Sequence, residues 1–227
     1  RNKIDRAKAC HVMIVLYTNI GKLNEAIELG MESLKLFGLD LPRTAGKLAV
    51  FRELVRIRLA LRRIGIHNVL DLPMVTDESI IWTTELAGSI GMPAYISNPN
   101  LFAVTVLKNL TLSLNHHGLI HASSFGFMAL ASILESALGD YRTAYSIGEM
   151  ALRLNEKMGE KRYACKVNFV FSFMILHWKR HLRECIPFFQ KAYQEGLDIG
   201  DRLYSGHSIN ALTHCRIILG DNIDEVL

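Results

Sequence analysis

Histidine pairs are the first residues whose spacing invites chemistry. His177 and His181 stand four apart, the separation at which two imidazoles on one helix face would hold a metal ion. No HExxH accompanies them, and a turn is expected between them, so interface or capping roles fit better. His116, His117 and His121 form a second group, but Gly118 interrupts any helix there and favours a structural role. Ser172 with His177, Cys185 with His181, and Ser205 with His207 are nucleophile–base pairs in sequence only. Nucleophilic catalysis also needs a group that orients the base and a site for the oxyanion, and the sequence supplies neither. Gly46-Lys47 looks like the end of a P-loop, yet Leu48 follows it and Leu41 stands where the earlier glycine is required. The expectation is no catalytic residue, no metal and no cofactor.

Charge and cysteine content narrow the class further. The chain has 227 residues, 50% of them hydrophobic, and a net charge of +4. Residues 1–113 carry 14 Lys+Arg against 10 Asp+Glu, and the remainder 12 of each, a weaker imbalance than nucleic-acid binders show. Lys47, Arg52, Arg56, Arg58, Arg62 and Arg63 fall on one expected helix. Aromatic residues for base stacking are nearly absent there, so a solvated face or a docking patch for an acidic partner or phosphate is expected. Cys10, Cys165, Cys185 and Cys215 are at least 20 positions apart and sit in apolar helical contexts, which reads as buried free thiols in a reducing cytoplasm. The longest apolar run, Phe169 to Leu176, is interrupted by Ser172 and falls far short of the ~20 residues of a membrane span.

The elements that carry these residues are helices. Val12, Leu16, Ile20 and Leu23 keep helical spacing until Gly21 breaks the run, and a second helix restarts at Asn24 and stops at Gly38. Thr44 to about Ile64 is a helix, and Pro73 limits the stretch after it to one short turn. Thr76-Asp77-Glu78 starts a helix expected to end at Gly91 and Pro93. Asn98-Pro99 starts another, to Asn115. Later helices are expected over about 119–138, 141–158, 161–178 and 202–219, with Pro187 kinking or loosening the helix between the last two. Gly139, Tyr141, Ala144, Gly148 and Ala151 mark a turn and a small-residue face. Gly21, Leu23, Ala26, Gly30 and Ser33 fall in the same slots, as in tetratricopeptide-like repeats. Around His181 the slots recur as Leu182, Cys185 and Ala192, with Arg180 a departure in the glycine slot. The expected fold is therefore all-α, a tetratricopeptide-like α-solenoid of antiparallel helix pairs with about 10–11 helices. It forms one helical-repeat domain over 1–227, irregular at about 44–117 and regular over 119–227. The start at Arg1 and the stop inside an expected helix at Leu227 read as a piece of a longer protein.

Longer motifs add a resemblance. The run His177-Trp178-Lys179-Arg180-His181-Leu182-Arg183-Glu184, with Gly196-Leu197-Asp198-Ile199-Gly200-Asp201, is similar to the helical region of large multidomain bacterial and fungal signalling proteins. So are Gly21 to Gly30, Gly38-Leu39-Asp40-Leu41-Pro42 and Leu70-Asp71-Leu72-Pro73-Met74. Those proteins join a protein-kinase-like domain, a signal-transduction P-loop ATPase, tetratricopeptide-like repeats and often GAF and histidine-kinase modules. The resemblance implies a non-catalytic, cytoplasmic regulatory scaffold that binds a protein partner or the chain's own domains. The related maltose-regulator type of transcription activator implies the alternative, a sensor for a small effector. Neither reading involves nucleic acid bound by this segment, or a membrane. In such arrays the first helix of each repeat lines a concave face. Carried over, the candidate binding residues are Lys8, His11, Thr18, Ser136, Met174, His177, His207, Asn210 and His214.

Overall fold

A computed structural model describes residues 2–222. Its elements are helical throughout, apart from a single parallel bridge between Met74 and Leu119. The helix expected at the C-terminal end lies outside the described residues. The chain divides into two compact units, 1–122 and 123–227.

The first unit contains α1 (Asn2–Asn19), α2 (Leu23–Lys35), α3 (Lys47–Ile64), a 3-10 turn (Ile66–Asp71), α4 (Glu78–Ser97) and α5 (Pro99–Asn115). The helices α1 and α2 pack on each other and both pack on α4, which packs on α5. Gly30 of α2 receives Ile90 of α4 so closely that a Cβ would overlap the Ile90 side chain, which is what a small residue on a helix face permits. The helix α3 steps out of this sequence and packs on α5. Capping follows the sequence signals. The Asp77 carboxylate accepts from the Ser79 and Ile80 amides, and the Asn98 side chain accepts from the Leu101 amide.

Three boundaries differ from expectation here, the first being α3, which starts at Lys47 after Gly46 and not at Thr44. The helix α4 runs through Gly91 and Pro93 to Ser97. Proline removes one hydrogen bond, but Ile90, Pro93 and Ala94 are all buried, and that burial carries the helix onward. Residues 119–122 are not helical, and the following helix starts at Ser123. The reason is the bridge: the Leu119 amide donates to Pro73 O and the Val75 amide donates to Leu119 O, both at 2.8 Å. A backbone engaged sideways in this way cannot also supply the first helical turn.

The second unit contains α6 (Ser123–Leu138), α7 (Tyr141–Met158), α8 (Lys161–Val170), α9 (Ile186–Ile199) and α10 (Arg202–Ile218). The helix α8 continues through a π turn (Phe171–Ile175) and a 3-10 turn (Leu176–Trp178), and a further 3-10 turn (Leu182–Cys185) leads into α9. Pro187 therefore lies in the first turn of α9, where it costs no hydrogen bond; it loosens the entry and does not kink the interior. The helix α6 packs on α7, α8 on α9, and α9 on α10, while α8 also touches α6 and α7. Gly139 has φ +63, the left-handed turn that lets α7 fold back on α6. Gly148, the counterpart of Gly30, takes the ring of Phe171, with an added Cβ only 2.9 Å from Phe171 Cδ2. Tyr141, in the turn, is exposed and lies against the Trp178 ring at 4.8 Å.

Candidate functional site

The nucleophiles suggested by sequence are committed elsewhere. The Ser172 hydroxyl donates to the Asn168 and Phe169 carbonyls, and the Ser205 hydroxyl donates to the Asp201 carbonyl at 2.8 Å. Cys185 is fully buried and burial pushes its thiol up to about 12; Cys165 is likewise pushed up to about 11 by burial. At neutral pH neither forms an appreciable thiolate, the reactive species. His181 Nδ1 accepts from the Arg183 amide and caps the turn that follows. All four cysteines are free. Among the described residues no cluster of three or more His, Cys, Asp or Glu side chains is arranged to hold a metal.

The residues expected on the concave face separate into groups. In the first unit, Lys8 and His11 both lie against the Trp82 ring of α4, Lys8 Nζ at 5.6 Å from its centroid and His11 edge-on at 6.4 Å. His11 Nδ1 is buried without a hydrogen-bond partner. Thr18 directs its hydroxyl to the Ile14 carbonyl. In the second unit, Ser136 is exposed and bonded to the Ser132 carbonyl. Met174 lies in the π turn, and His177 lies beside Trp178 at 4.9 Å. His207, Asn210 and His214 are exposed along one side of α10, three and four residues apart, hence on one face.

The best-built surface centres on a residue that the sequence reading passed over. The Phe169 ring is within 5.3–6.3 Å of the rings of Phe173, Tyr204, His207 and Phe189. The His207 imidazole stacks on it at 5.8 Å, nearly parallel. Lys166 Nζ bridges the rings of Tyr163 and Tyr204 at 5.7 and 5.2 Å, and its ammonium pairs with Asp201 at 3.4 Å. Tyr163 in turn stacks on Phe125 of α6 at 6.0 Å. The result is an aromatic band across α6, α8 and α10 with a lysine and a histidine set into it. Phe173 and His207 are its exposed members, and Phe169 is half-buried.

Local sequence explains the band. Tyr163, Lys166, Phe169 and Phe173 recur every three or four residues along α8, so they share one face. A π turn follows α8 over Phe171–Ile175. Such π turns are frequent at functional positions; within this one Phe173 faces outward while Phe171 enters the core at 2% exposure. The aromatic period along α8 was the available signal, and only His207 of the band was anticipated.

Beneath the band lies a buried polar contact. The Asn168 amide donates to the Ala164 carbonyl and to Glu195 Oε2 at 2.8 Å. Burial raises the Glu195 carboxyl above the ordinary carboxylate range, a shift that the Asn168 bond and Lys191 partly oppose.

Two of the surface hollows among the described residues are open. One of about 350 Å³ lies between α1 and α2 and includes Glu25, Glu28 and Glu32; the other, about 580 Å³, lies along α3. Among the described residues no helix is long and apolar enough to cross a membrane. No family model, no curated protein and no solved structure matches the chain.

Proposed function

We propose that this chain is a non-catalytic protein-interaction scaffold, built in each unit from tetratricopeptide-like antiparallel helix pairs. Its setting, following the resemblance of its motifs, is a large signal-transduction ATPase/kinase. The observation that carries this reading is the aromatic band of α6, α8 and α10. It lies on the first helix of each pair, the surface that repeat arrays use for binding. Rings with few rotatable bonds give large contact area at low entropic cost, and such residues dominate protein interfaces. The hollows along α1–α2 and α3 are open, whereas small-molecule sites enclose most of their ligand; this favours a protein partner over a small effector. The committed hydroxyls and the buried thiols also support a binding role over a catalytic one.

A photo-crosslinking residue in place of Phe173, in the full-length protein, tests the proposal. The expected result is an adduct to one defined peptide, from another domain of the chain or from a partner, that disappears when Phe169 is also changed to Ala. A yield no higher than from the same crosslinker at Arg153, on the exposed side of α7, would overturn it.

A further inference from the structure

The second surface is the outward side of α3, and it carries a different kind of information. Val50, Leu54, Ile57 and Ala60 are buried, facing the side packed on α5. On the opposite side stand Leu48, Phe51, Val55 and Leu59, which are 82%, 60%, 42% and 49% exposed. Their spacing of three, four and four residues makes a narrow row, within an arc of about 80° at 100° per residue. The row is about 16 Å long at 1.5 Å rise per residue.

Cations flank this row on both sides. Lys47 and Arg58 border one edge, Arg62 reaches the row at its C-terminal end, and Arg52, Arg56 and Arg63 border the other edge. Glu53, the lone acid of α3, is 1% exposed, and its carboxylate holds Arg56 at 2.9 Å and Arg52 at 3.4 Å. Those two guanidiniums are thereby fixed beside the row. Arg58, Arg62 and Arg63 have no acidic partner among the described residues.

From this arrangement we infer that α3 docks an amphipathic helix with an apolar seam and acidic flanks. A row one side chain wide, with like charges along both borders, is one half of a paired-helix seam. The complementary half carries apolar residues at the seam and Glu or Asp beside it. Five of the six cations are arginines, whose planar forks suit carboxylates in paired geometry. A lipid surface is matched instead by a broad apolar face, which α3 lacks.

The helices α1, α2 and α10 of a second copy are poor mates for this row. The acidic side of α2, Glu25, Glu28 and Glu32, is exposed, but the apolar residues of that helix are buried or half-buried. The exposed apolar row of α1 has one acid, Asp5, in line with Val12 and Leu16 and not beside them, and α10 has none. None of α1, α2 and α10 combines an exposed apolar seam with acids on both borders, and the helix inferred to dock is a segment of different sequence. This inference concerns a surface separate from the aromatic band, so each can fail without the other.

Fluorescence anisotropy of the chain with designed helical peptides tests it. One labelled peptide has a leucine seam flanked by Glu, and its control has the same seam flanked by Lys. The Glu-flanked peptide is expected to bind at least about tenfold more tightly, with affinity falling as salt rises. The R58E/R62E/R63E variant should reverse the preference, and L48A/F51A should weaken the Glu-flanked peptide at least about tenfold without changing the circular dichroism spectrum. Equal binding of the two peptides, or binding of neither, overturns the inference. So does sedimentation with phosphatidylserine vesicles that L48A/F51A abolishes while no peptide preference exists, which would assign the surface to membrane. Self-association of the unaltered chain that L48A/F51A abolishes would assign it to a second copy and overturn it as well.

Discussion

The helices α3 and α8 both turn large apolar side chains toward solvent, yet they do so in opposite states. In the π turn that continues α8, the exposed Phe173 stacks on Phe169, which meets Tyr204, His207 and Phe189. The rings satisfy one another, and the surface is already built before anything binds. On α3, Leu48 and Phe51 are mostly free of the protein, while the ordered features are the cations beside them. A self-contacting surface contributes to stability and selects a partner by shape. An unpartnered row contributes almost nothing to stability and selects by the sign of its border.

Stability measurements separate the two. Phe169→Ala should destabilise the second unit by roughly 2–4 kcal/mol, because it opens a gap among four neighbouring rings; urea unfolding followed by tyrosine and tryptophan fluorescence reads this. Phe51→Ala, by contrast, should lie within about 0.5 kcal/mol of the parent. A Phe51→Ala cost near that of Phe169→Ala would show that the α3 row is packed in the free protein, and the contrast would collapse.

The paired glycines provide the next comparison, because the units share one packing device. Gly148→Val should cost about 1–3 kcal/mol by driving a side chain into Phe171, and Gly30→Val should cost a similar amount against Ile90. A harmless Gly30→Val with a damaging Gly148→Val would mean that α4 can shift where α8 cannot.

Thiol reactivity distinguishes the units without mutation. Cys10, half-exposed in the first unit, should react promptly with a disulfide reagent at neutral pH. Cys165, Cys185 and Cys215 are buried, and burial raises each of their pKa values; they should react only on unfolding. A second fast thiol in the native protein would locate an opening in the second unit.

The smallest effect concerns Glu195. Its carboxyl is raised in the folded chain, so the native state binds more protons between the unfolded and folded pKa values, and stability falls as pH rises through that window. Below the unfolded pKa the penalty is absent. Glu195→Gln should therefore raise the melting temperature slightly at pH 7 and not at pH 3.5. An equal gain at both would show that the gain comes from packing and not from charge.

Helix positions were largely legible because local signals agree with the final structure. Gly21 and Gly139 end helices, Asp77 and Asn98 start them, and the spacing of apolar residues sets the period. Two of the exceptions, Pro93 inside α4 and the non-helical 119–122, arise where burial or a bridge to Pro73 and Val75 overrides a local preference. The site was much less legible. Of the aromatic band only His207 was anticipated, because Phe169 and Tyr204 read equally well as core residues until their neighbours are known. Lys8 and His11 do meet, but around Trp82, a ring more than 70 positions away in sequence.

By itself, the sequence determined where helices begin and end and which small residues allow close approach. Those are properties of single residues and short spacings, and they act within a few turns. Which side of each helix faces inward was decided only by tertiary structure. Val12, Leu16 and Ile20 announce α1 by their period, yet they face outward while Ala7 and Ile14 enter the core. Leu48, Phe51, Val55 and Leu59 do the same on α3. A helix with apolar residues on two sides can bury either one. Packing on α5 chose the side of α3 that bears Leu54 and Ile57, and left the row between its arginines facing outward.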